Sequence, residues 1–156
     1  MFCPECGAEL RETCETMREA YRGEEFVIEG IRHNQCDSCG EYMIDINDEV
    51  ELTRRIHEEY ARRHDLLSPA EIRSIRTSLG VSQKQFEAML GVSSPTVSRW
   101  ETGYMQQTRM ADNLMRLVGQ VPGAATLLMR RAGVIPRKTP VIDFPPGPGA
   151  SPAREA

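Results

Sequence analysis

Residues 82–103 read SQKQFEAMLGVSSPTVSRWETG, and this stretch decides the fold of the second half of the chain. Ser82 followed three residues later by Gln85 is the pattern of a capping box, which predicts the start of a helix. Gly91 predicts the end of that helix, because the turn there needs a positive φ that glycine adopts without strain. A second helix, capped by Ser93, is predicted to follow. The stretch therefore predicts a helix-turn-helix.

The helix-turn-helix lies within a longer helical segment, residues 68–133. The run Ser68-Pro69-Ala70-Glu71 combines an N-cap, a proline at the first helical position and a capping-box glutamate. It predicts the start of a helix that Gly80 ends. Two further helices are predicted at residues 109–118 and 123–132. The segment is therefore predicted to be an all-α domain of five helices.

All five cysteines precede this segment, within residues 1–47. Two Cys-x-x-Cys pairs, Cys3 with Cys6 and Cys36 with Cys39, are each followed by glycine. A two-residue gap lets a tight turn aim two thiolates at one ion, and two such pairs complete the tetrahedral set that zinc accepts. Four thiolates leave no open position for a substrate water. We therefore predict one structural Zn²⁺ per chain, with these four cysteines as its ligands.

Other interpretations of these residues stay open at this point. Taken alone, the Cys3–Cys6 motif is also compatible with thiol–disulfide chemistry, although the βαβ pattern that such motifs need is missing. His33 lies three residues before Cys36 and is an alternative ligand in place of one thiolate. Cys14 is the odd cysteine, which we interpret as a small core or surface residue.

The whole chain is predicted to have an α+β fold. Residues 1–47 form a small β-rich zinc-binding domain, with strand patterns around Tyr21, at 26–31 and at 42–46, and this domain is expected to need its zinc to fold. Residues 48–67 are predicted to be a connecting helix or linker. Residues 134–156 contain six of the ten prolines and are expected to be a disordered tail.

The charge of the chain is divided unequally between its two halves. Residues 1–67 carry 8 Lys and Arg against 17 Asp and Glu, a net of −9, whereas residues 68–156 carry 11 against 6, a net of +5. This asymmetry suggests two partners of opposite charge, although two solvated surfaces without partners would also produce it. The sequence shows neither an apolar run of about 18 residues nor a secretory pattern. We therefore expect no membrane contact and residence in the cytoplasm, where thiols stay reduced.

Residues 69–118 resemble the Cro/cI-type helix-turn-helix family. The positions that carry this resemblance are Gln83, Phe86, Ala88, Gly91, Val92, Ser93, Val97, Ser98, Trp100, Glu101 and Gly103. The resemblance implies that the second helix, predicted from Ser94 to about Thr102, lies in the major groove of DNA. The DNA-contacting positions are then Gln83, Lys84, Ser94, Pro95, Thr96 and Arg99. It also implies a structural salt bridge between Arg76 and Glu101.

Residues 1–130 as a whole resemble the MqsA family of type II antitoxins, whose N-terminal module is the YgiT-type zinc finger. The carrying motifs are Cys3-Pro4-x-Cys6, Tyr21-Arg22-Gly23, Val27-x-x-Gly30-Ile31, Cys36-x-x-Cys39, Ser82-Gln83-Lys84, Ser98-Arg99 and Glu101-x-Gly103. The resemblance implies that the zinc domain inhibits a small basic toxin, an mRNA-cleaving ribonuclease. It also implies that the C-terminal domain forms a homodimer, which represses the operon by binding a palindromic operator in double-stranded DNA. Pro95 stands where the family has an asparagine, so the operator sequence should differ.

Two other classes of function compete with this interpretation. A stand-alone zinc-stapled transcriptional regulator would use the same helix-turn-helix, and its gene need not lie beside a toxin gene. An enzyme that uses thiols would need a substrate pocket, a poised base or a phosphate-binding glycine loop, and the sequence shows none of these. We therefore predict an antitoxin that is not an enzyme.

Overall fold

The computed structural model describes residues 1–121 and 123–137. In this part of the chain five strands precede six helices, namely β1 (Arg11–Thr13), β2 (Met17–Tyr21), β3 (Glu24–Ile28), β4 (His33–Gln35), β5 (Tyr42–Met43), α1 (Ile46–Arg63), α2 (Pro69–Ser78), α3 (Gln83–Leu90), α4 (Thr96–Glu101), α5 (Arg109–Gln120) and α6 (Ala124–Ala132). The predicted α+β fold is confirmed, with α1 as the charged helix and α2 to α6 as the five later helices. Residues 138–156 of the tail that was expected to be disordered lie outside the described part. The prediction is wrong for residues 134–137, which are described and are held by hydrogen bonds at Ile135 and Arg137.

The first of two compact units comprises Met1–Leu66 and Gly103–Gln106. It contains a three-stranded antiparallel sheet in the order β1-β4-β5 and a separate antiparallel hairpin of β2 and β3. Arg22 and Gly23, with φ of 50° and 82°, form the two-residue turn of the hairpin. Positive φ at both positions is the backbone of a type I′ turn, whose twist matches that of the flanking strands.

Two separate apolar clusters stabilise this first unit. The larger one joins the β2–β3 hairpin to α1 and buries Met17, Phe26, Ile28, Ile31, Leu52 and Ile56. The smaller one lies at the cysteine pairs and buries only Cys3, Leu10 and Cys36. The helix predicted as a connector therefore supplies two side chains to the core of the hairpin.

The boundary between β5 and α1 differs from the prediction. A strand was expected over residues 42–46, but β5 ends at Met43 and α1 already begins at Ile46. The reason is Asp45, whose carboxylate accepts a hydrogen bond from the N–H of Asn47 at 3.0 Å and so caps the helix. The apolar residues Ile44 and Ile46 are therefore not two positions of one strand.

The second unit comprises Leu67–Thr102 and the described part of Gln107–Ala156. Both predicted capping boxes are present, at Ser68 with Glu71 and at Ser82 with Gln85. Its fully buried apolar side chains include Ile72, Leu79, Phe86, Val97, Met115 and Val118. No helix of the described residues has the length and apolar character to cross a membrane.

Candidate metal centre and nucleic-acid interface

The four cysteines of the two pairs meet at one point of the first unit. Their Sγ atoms all lie within 4.8 Å of one another. Cys3 Sγ is 3.6 Å from Cys39 Sγ, and Cys6 Sγ is 3.4 Å from Cys36 Sγ. A tetrahedral ion with metal–sulfur bonds of about 2.3 Å holds its sulfurs roughly 3.8 Å apart. The spacing of the cluster therefore fits a four-thiolate metal site.

Each pair lies in a tight turn of the same design, the first knuckle at residues 3–7 and the second at 36–40. The N–H of Gly7 donates to the carbonyl of Cys3, and the N–H of Gly40 donates to that of Cys36, both at 2.9 Å. Gly7 has a φ of 74° and Gly40 a φ of 78°. These left-handed conformations explain why glycine follows each pair.

The electrostatics of the cluster also favour a bound cation. The backbone N–H of Cys39 lowers the pKa of Cys36 to about 7, against the opposing effect of burial. The backbone at Glu41 lowers the pKa of Cys39, but the thiols of Cys3 and Cys6 raise it more, to about 12. Sulfurs at this spacing repel one another when ionised, so the full set of thiolates needs a cation between them.

The two other candidate residues of this segment do not join the cluster. The metal-binding group found among the described residues consists of the four cysteines and contains neither His33 nor Cys14. His33 is buried, and its Nδ1 lies 2.9 Å from the carbonyl oxygen of Ile31. Cys14 is exposed.

The helix-turn-helix consists of α3, α4 and the turn between them. Gly91 has a φ of 72°, and its N–H donates to the carbonyl of Glu87, which closes α3 as expected. Phe86, Val97 and Trp100 are buried on the facing sides of the two helices. Since α4 spans Thr96–Glu101, the second helix starts two residues later than the predicted Ser94.

The cap of α4 also differs from the prediction, which assigned it to Ser93. The N-cap position is Pro95, which makes no side-chain capping bond. Instead the N–H of Val97 donates to Glu87 Oε1 at 3.0 Å, and Glu87 is only 3% exposed. A buried carboxylate of α3 therefore replaces the local serine as the acceptor at the start of α4.

Arg76 and Glu101 form an ion pair within the second unit. Arg76 Nε donates to Glu101 Oε1 at 2.5 Å, and Arg76 Nη2 donates to Oε2 at 3.1 Å. Gln83 Nε2 also donates to Oε2, at 2.9 Å. Burial raises the pKa of Glu101, but the hydrogen bonds from Arg76 and Gln83 lower it by more, so the net shift of the pKa is downward. Glu101 therefore ties α2 and the start of α3 to α4.

The residues assigned to DNA by resemblance differ in their exposure. Lys84, Ser94, Pro95 and Arg99 are exposed, while Gln83 and Thr96 are half-buried. Gln83 uses one donor on Glu101, but an amide nitrogen carries two N–H groups. The bond to Glu101 thus uses only one of the two N–H groups of Gln83. Gln83 and Lys84 stand at the start of α3, whereas the other four residues stand at the start of α4 or within it.

Sequence reasoning missed Glu87 and Arg137. Glu87 occupies a position that a helical pattern shows only as polar, and its partner is ten residues away. Arg137 lies beyond the helical pattern, yet its N–H donates to the carbonyl of Gly80 at 2.9 Å. Neither contact has a local sequence signal, because each depends on how the helices pack.

The fold and the site together define a protein with a four-cysteine metal site followed by a helix-turn-helix unit. The family model for the antitoxin component of bacterial toxin–antitoxin systems, MqsA, matches residues 1–128. The chain therefore belongs to the MqsA family of antitoxins of type II toxin–antitoxin systems. Among curated proteins, none matches the sequence.

Proposed function

We propose that this antitoxin neutralises a ribonuclease-type toxin through its N-terminal part and represses its own operon through its helix-turn-helix. The observation that carries the proposal is the family match, which covers both the cysteine cluster and the helix-turn-helix. Residues 1–47 hold the metal, 48–67 connect, and 68–133 bind DNA and form the dimer. The antitoxin acts by binding and not as an enzyme, in the cytoplasm, where the toxin's mRNA targets and the operator both lie and where thiols stay reduced.

The metal is one structural Zn²⁺ per chain, held by Cys3, Cys6, Cys36 and Cys39. Four sulfur ligands suit zinc, and they fill its tetrahedral coordination without leaving a position for substrate. Bound zinc supplies the cation that offsets the charge of the thiolates. It thereby holds together the two knuckles, whose surroundings are the proposed toxin-binding surface of the first unit.

The surface charge of the first unit suits a basic toxin. On α1, Arg54 pairs with Glu51 and Glu58, whereas Arg62 and Arg63 both pair with Glu59. Around the first knuckle and β1, by contrast, the exposed residues Glu5, Glu9 and Glu12 have no salt bridge within the described residues. Uncompensated carboxylates on this side steer a positively charged partner towards the knuckles.

Co-expression with the product of the adjoining gene tests the toxin part of the proposal. The wild-type chain is expected to co-purify with that product and to rescue growth. The variant Arg99→Ala should rescue equally well, because Arg99 lies in the DNA-binding unit, whereas Cys36→Ser should fail. If the adjoining product is harmless and does not bind, the chain is a stand-alone zinc-stapled regulator. Rescue by Cys36→Ser would separate neutralisation from the metal site.

We assign DNA recognition chiefly to Arg99. Its exposed guanidinium can donate to O6 and N7 of one guanine at the same time, and such a pair discriminates by about 1–3 kcal/mol. Thr96 and Ser94 are short and suit a thymine methyl or a single hydrogen bond, while Pro95 offers only van der Waals contact. Gln83 and Lys84 fix the position of the motif by contacting phosphates.

The DNA-binding form is a homodimer of two such chains. Val118 is buried in the core, but Leu117 on α5, Val121 at the end of α5 and Leu127 on α6 remain 44–58% exposed. Exposed apolar side chains on two neighbouring helices favour covering by a second copy. A two-fold dimer would present two copies of α4 to half-sites one DNA turn apart. Titration of the operator should accordingly give two chains per duplex.

Replacing Arg99 by alanine is expected to weaken operator binding about 10- to 100-fold per half-site, because the bidentate contact is lost. Binding to a random duplex should fall by only a few fold. The measurement is a fluorescence-anisotropy titration with DNA from upstream of the gene and with a scrambled duplex. Arg18→Ala, an exposed position on β2, is the control and should change neither. Equal losses on both duplexes would show that Arg99 contacts only phosphate.

A further inference from the structure

The chain continues beyond the family match and returns to the helix-turn-helix. Residues 134–137, here called the C-terminal strap, follow α6 and lie along the turn between α2 and α3. Gln85 Nε2 donates to the carbonyl of Ile135 at 3.0 Å. The N–H of Arg137 donates to the carbonyl of Gly80 at 2.9 Å. Two hydrogen bonds, one accepted by Ile135 and one donated by Arg137, thus hold the strap beside the start of α3.

The strap completes an open groove of about 480 Å³ at this place. The groove is lined by residues 80–83 of the α2–α3 turn together with Arg76, Thr77 and Arg137. This lining contains two arginines and no acidic side chain. Its charge therefore suits an anion.

The two arginines of the groove differ in whether their guanidinium groups already pair with a carboxylate. Arg76 is committed to Glu101, with hydrogen bonds of 2.5 Å and 3.1 Å. Arg137 is exposed, and its guanidinium has no salt-bridge partner within residues 1–121 and 123–137. Arg137 is thus the cation of this groove that remains available to a ligand.

The capping box satisfies only part of the backbone at the start of α3. Ser82 N–H donates to Gln85 Oε1 at 2.9 Å and Gln85 N–H donates to Ser82 Oγ at 3.2 Å. The N–H groups of Gln83 and Lys84 lie outside the capping box. An anion in the groove can therefore be held by these N–H groups together with side chains. Among the lining side chains, Gln83 and Arg137 carry N–H groups that suit an anion.

We propose that the groove binds a phosphate of the DNA backbone, with Arg137 of the C-terminal strap supplying the positive charge. The proposal rests on the proposed DNA binding, in which Gln83 already faces the phosphates. In the groove, the guanidinium of Arg137 would contact the phosphate in addition to the side-chain amide of Gln83. Arg137 thus gives this chain a phosphate contact from outside the stretch that the family model matches. Such a contact raises affinity for every DNA sequence alike.

The test is the salt dependence of binding by the full-length chain to a random-sequence duplex and to the upstream DNA of its gene. Arg137→Gln is expected to weaken binding to both by a similar factor, about three- to tenfold. The slope of log K against log salt concentration should become shallower by about 0.9 per chain bound. Arg137→Lys should keep the wild-type slope, because the charge is retained. Arg131→Gln removes an exposed charge from α6, away from the groove, and is the matched control.

The outcomes separate this inference from the proposed function. If Arg137→Gln loses no more affinity and no more slope than Arg131→Gln, the groove does not bind phosphate, while DNA binding itself stands. If the wild-type chain binds neither duplex, the proposed repressor function and the groove assignment fail together. A loss confined to the upstream DNA would also overturn the phosphate assignment, since it would indicate a base contact. Urea unfolding monitored by Trp100 should be the same for Arg137→Gln and wild type, which excludes loss of the fold as the cause.

Discussion

Removing zinc with a chelator is expected to unfold the two knuckles and the β1-β4-β5 sheet while the second unit stays folded. The apolar cluster at the cysteines buries only Cys3, Leu10 and Cys36, and two of these are proposed metal ligands. The strands β1, β4 and β5 are only two or three residues long, so their hydrogen bonds add little stability to this cluster. Structural zinc contributes on the order of 10 kcal/mol to the folding of such small units. Without it, these residues have too small a core to stay folded.

Amide hydrogen exchange measured by mass spectrometry tests this expectation, because it reports the protection of each segment of the chain separately. Residues 1–13 and 33–43 should exchange within seconds after chelation. The β2–β3 hairpin and α1 should keep more protection, because they share the separate cluster around Phe26 and Ile56. Trp100, the one tryptophan of the sequence, is buried in the second unit, so its fluorescence should not change.

Two cysteine variants give the matched comparison for this experiment. Cys36→Ser should reproduce the effect of the chelator in the presence of zinc. Cys14→Ser should bind one zinc per chain and show wild-type exchange, because Cys14 is exposed and lies outside the cluster. Persistent protection of residues 1–13 in Cys36→Ser would contradict a structural role of the metal at this site.

Local signals in the sequence predicted much of the fold. The two capping boxes, the positive φ at Gly91 and the spacing of Phe86, Val97 and Trp100 each depend on residues close together in the chain. The cysteine pairs carried the same kind of information, since a Cys-x-x-Cys turn is a local structure. These locally determined features are present in the structure.

The elements that were missed depend on distant residues. The strands β1 (RET) and β4 (HNQ) are polar and three residues long, so they show no alternation of apolar side chains. They pair, with Arg11 opposite Gln35, because the two knuckles bring them together. The same holds for Glu87 as the cap of α4 and for the C-terminal strap. A local pattern cannot show a hydrogen bond whose partner is fixed only by tertiary packing.

Asp112 is a further case of this kind, and it has the largest expected effect in the second unit. Its side chain is 0% exposed, although a residue in the first turn of α5 would be expected at the surface. It accepts hydrogen bonds from the N–H of Leu67 at 2.7 Å, from Gln107 Nε2 at 3.1 Å and from Arg116 Nε at 2.8 Å. Burial raises the pKa of Asp112, but the bonds from Leu67, Arg116 and Gln107 lower it more, so folding favours the ionised form.

Asp112→Ala is therefore expected to lower the free energy of unfolding of the second unit by about 3–5 kcal/mol at pH 7, because it removes the acceptor of the buried Leu67 N–H and the carboxylate that pairs with Arg116. Urea unfolding monitored by Trp100 fluorescence measures this loss, and Asn113→Ala, the exposed neighbour on α5, should change it by less than about 0.5 kcal/mol. A carboxyl whose pKa is depressed by folding stabilises the protein above its unfolded pKa of about 3.9 and ceases to do so as the pH falls through its folded pKa. The difference between wild type and Asp112→Ala should accordingly shrink below about pH 4. A loss under about 1 kcal/mol at pH 7, or one that stays constant down to pH 2, would show that the buried carboxylate does not hold Leu67 and α5 together.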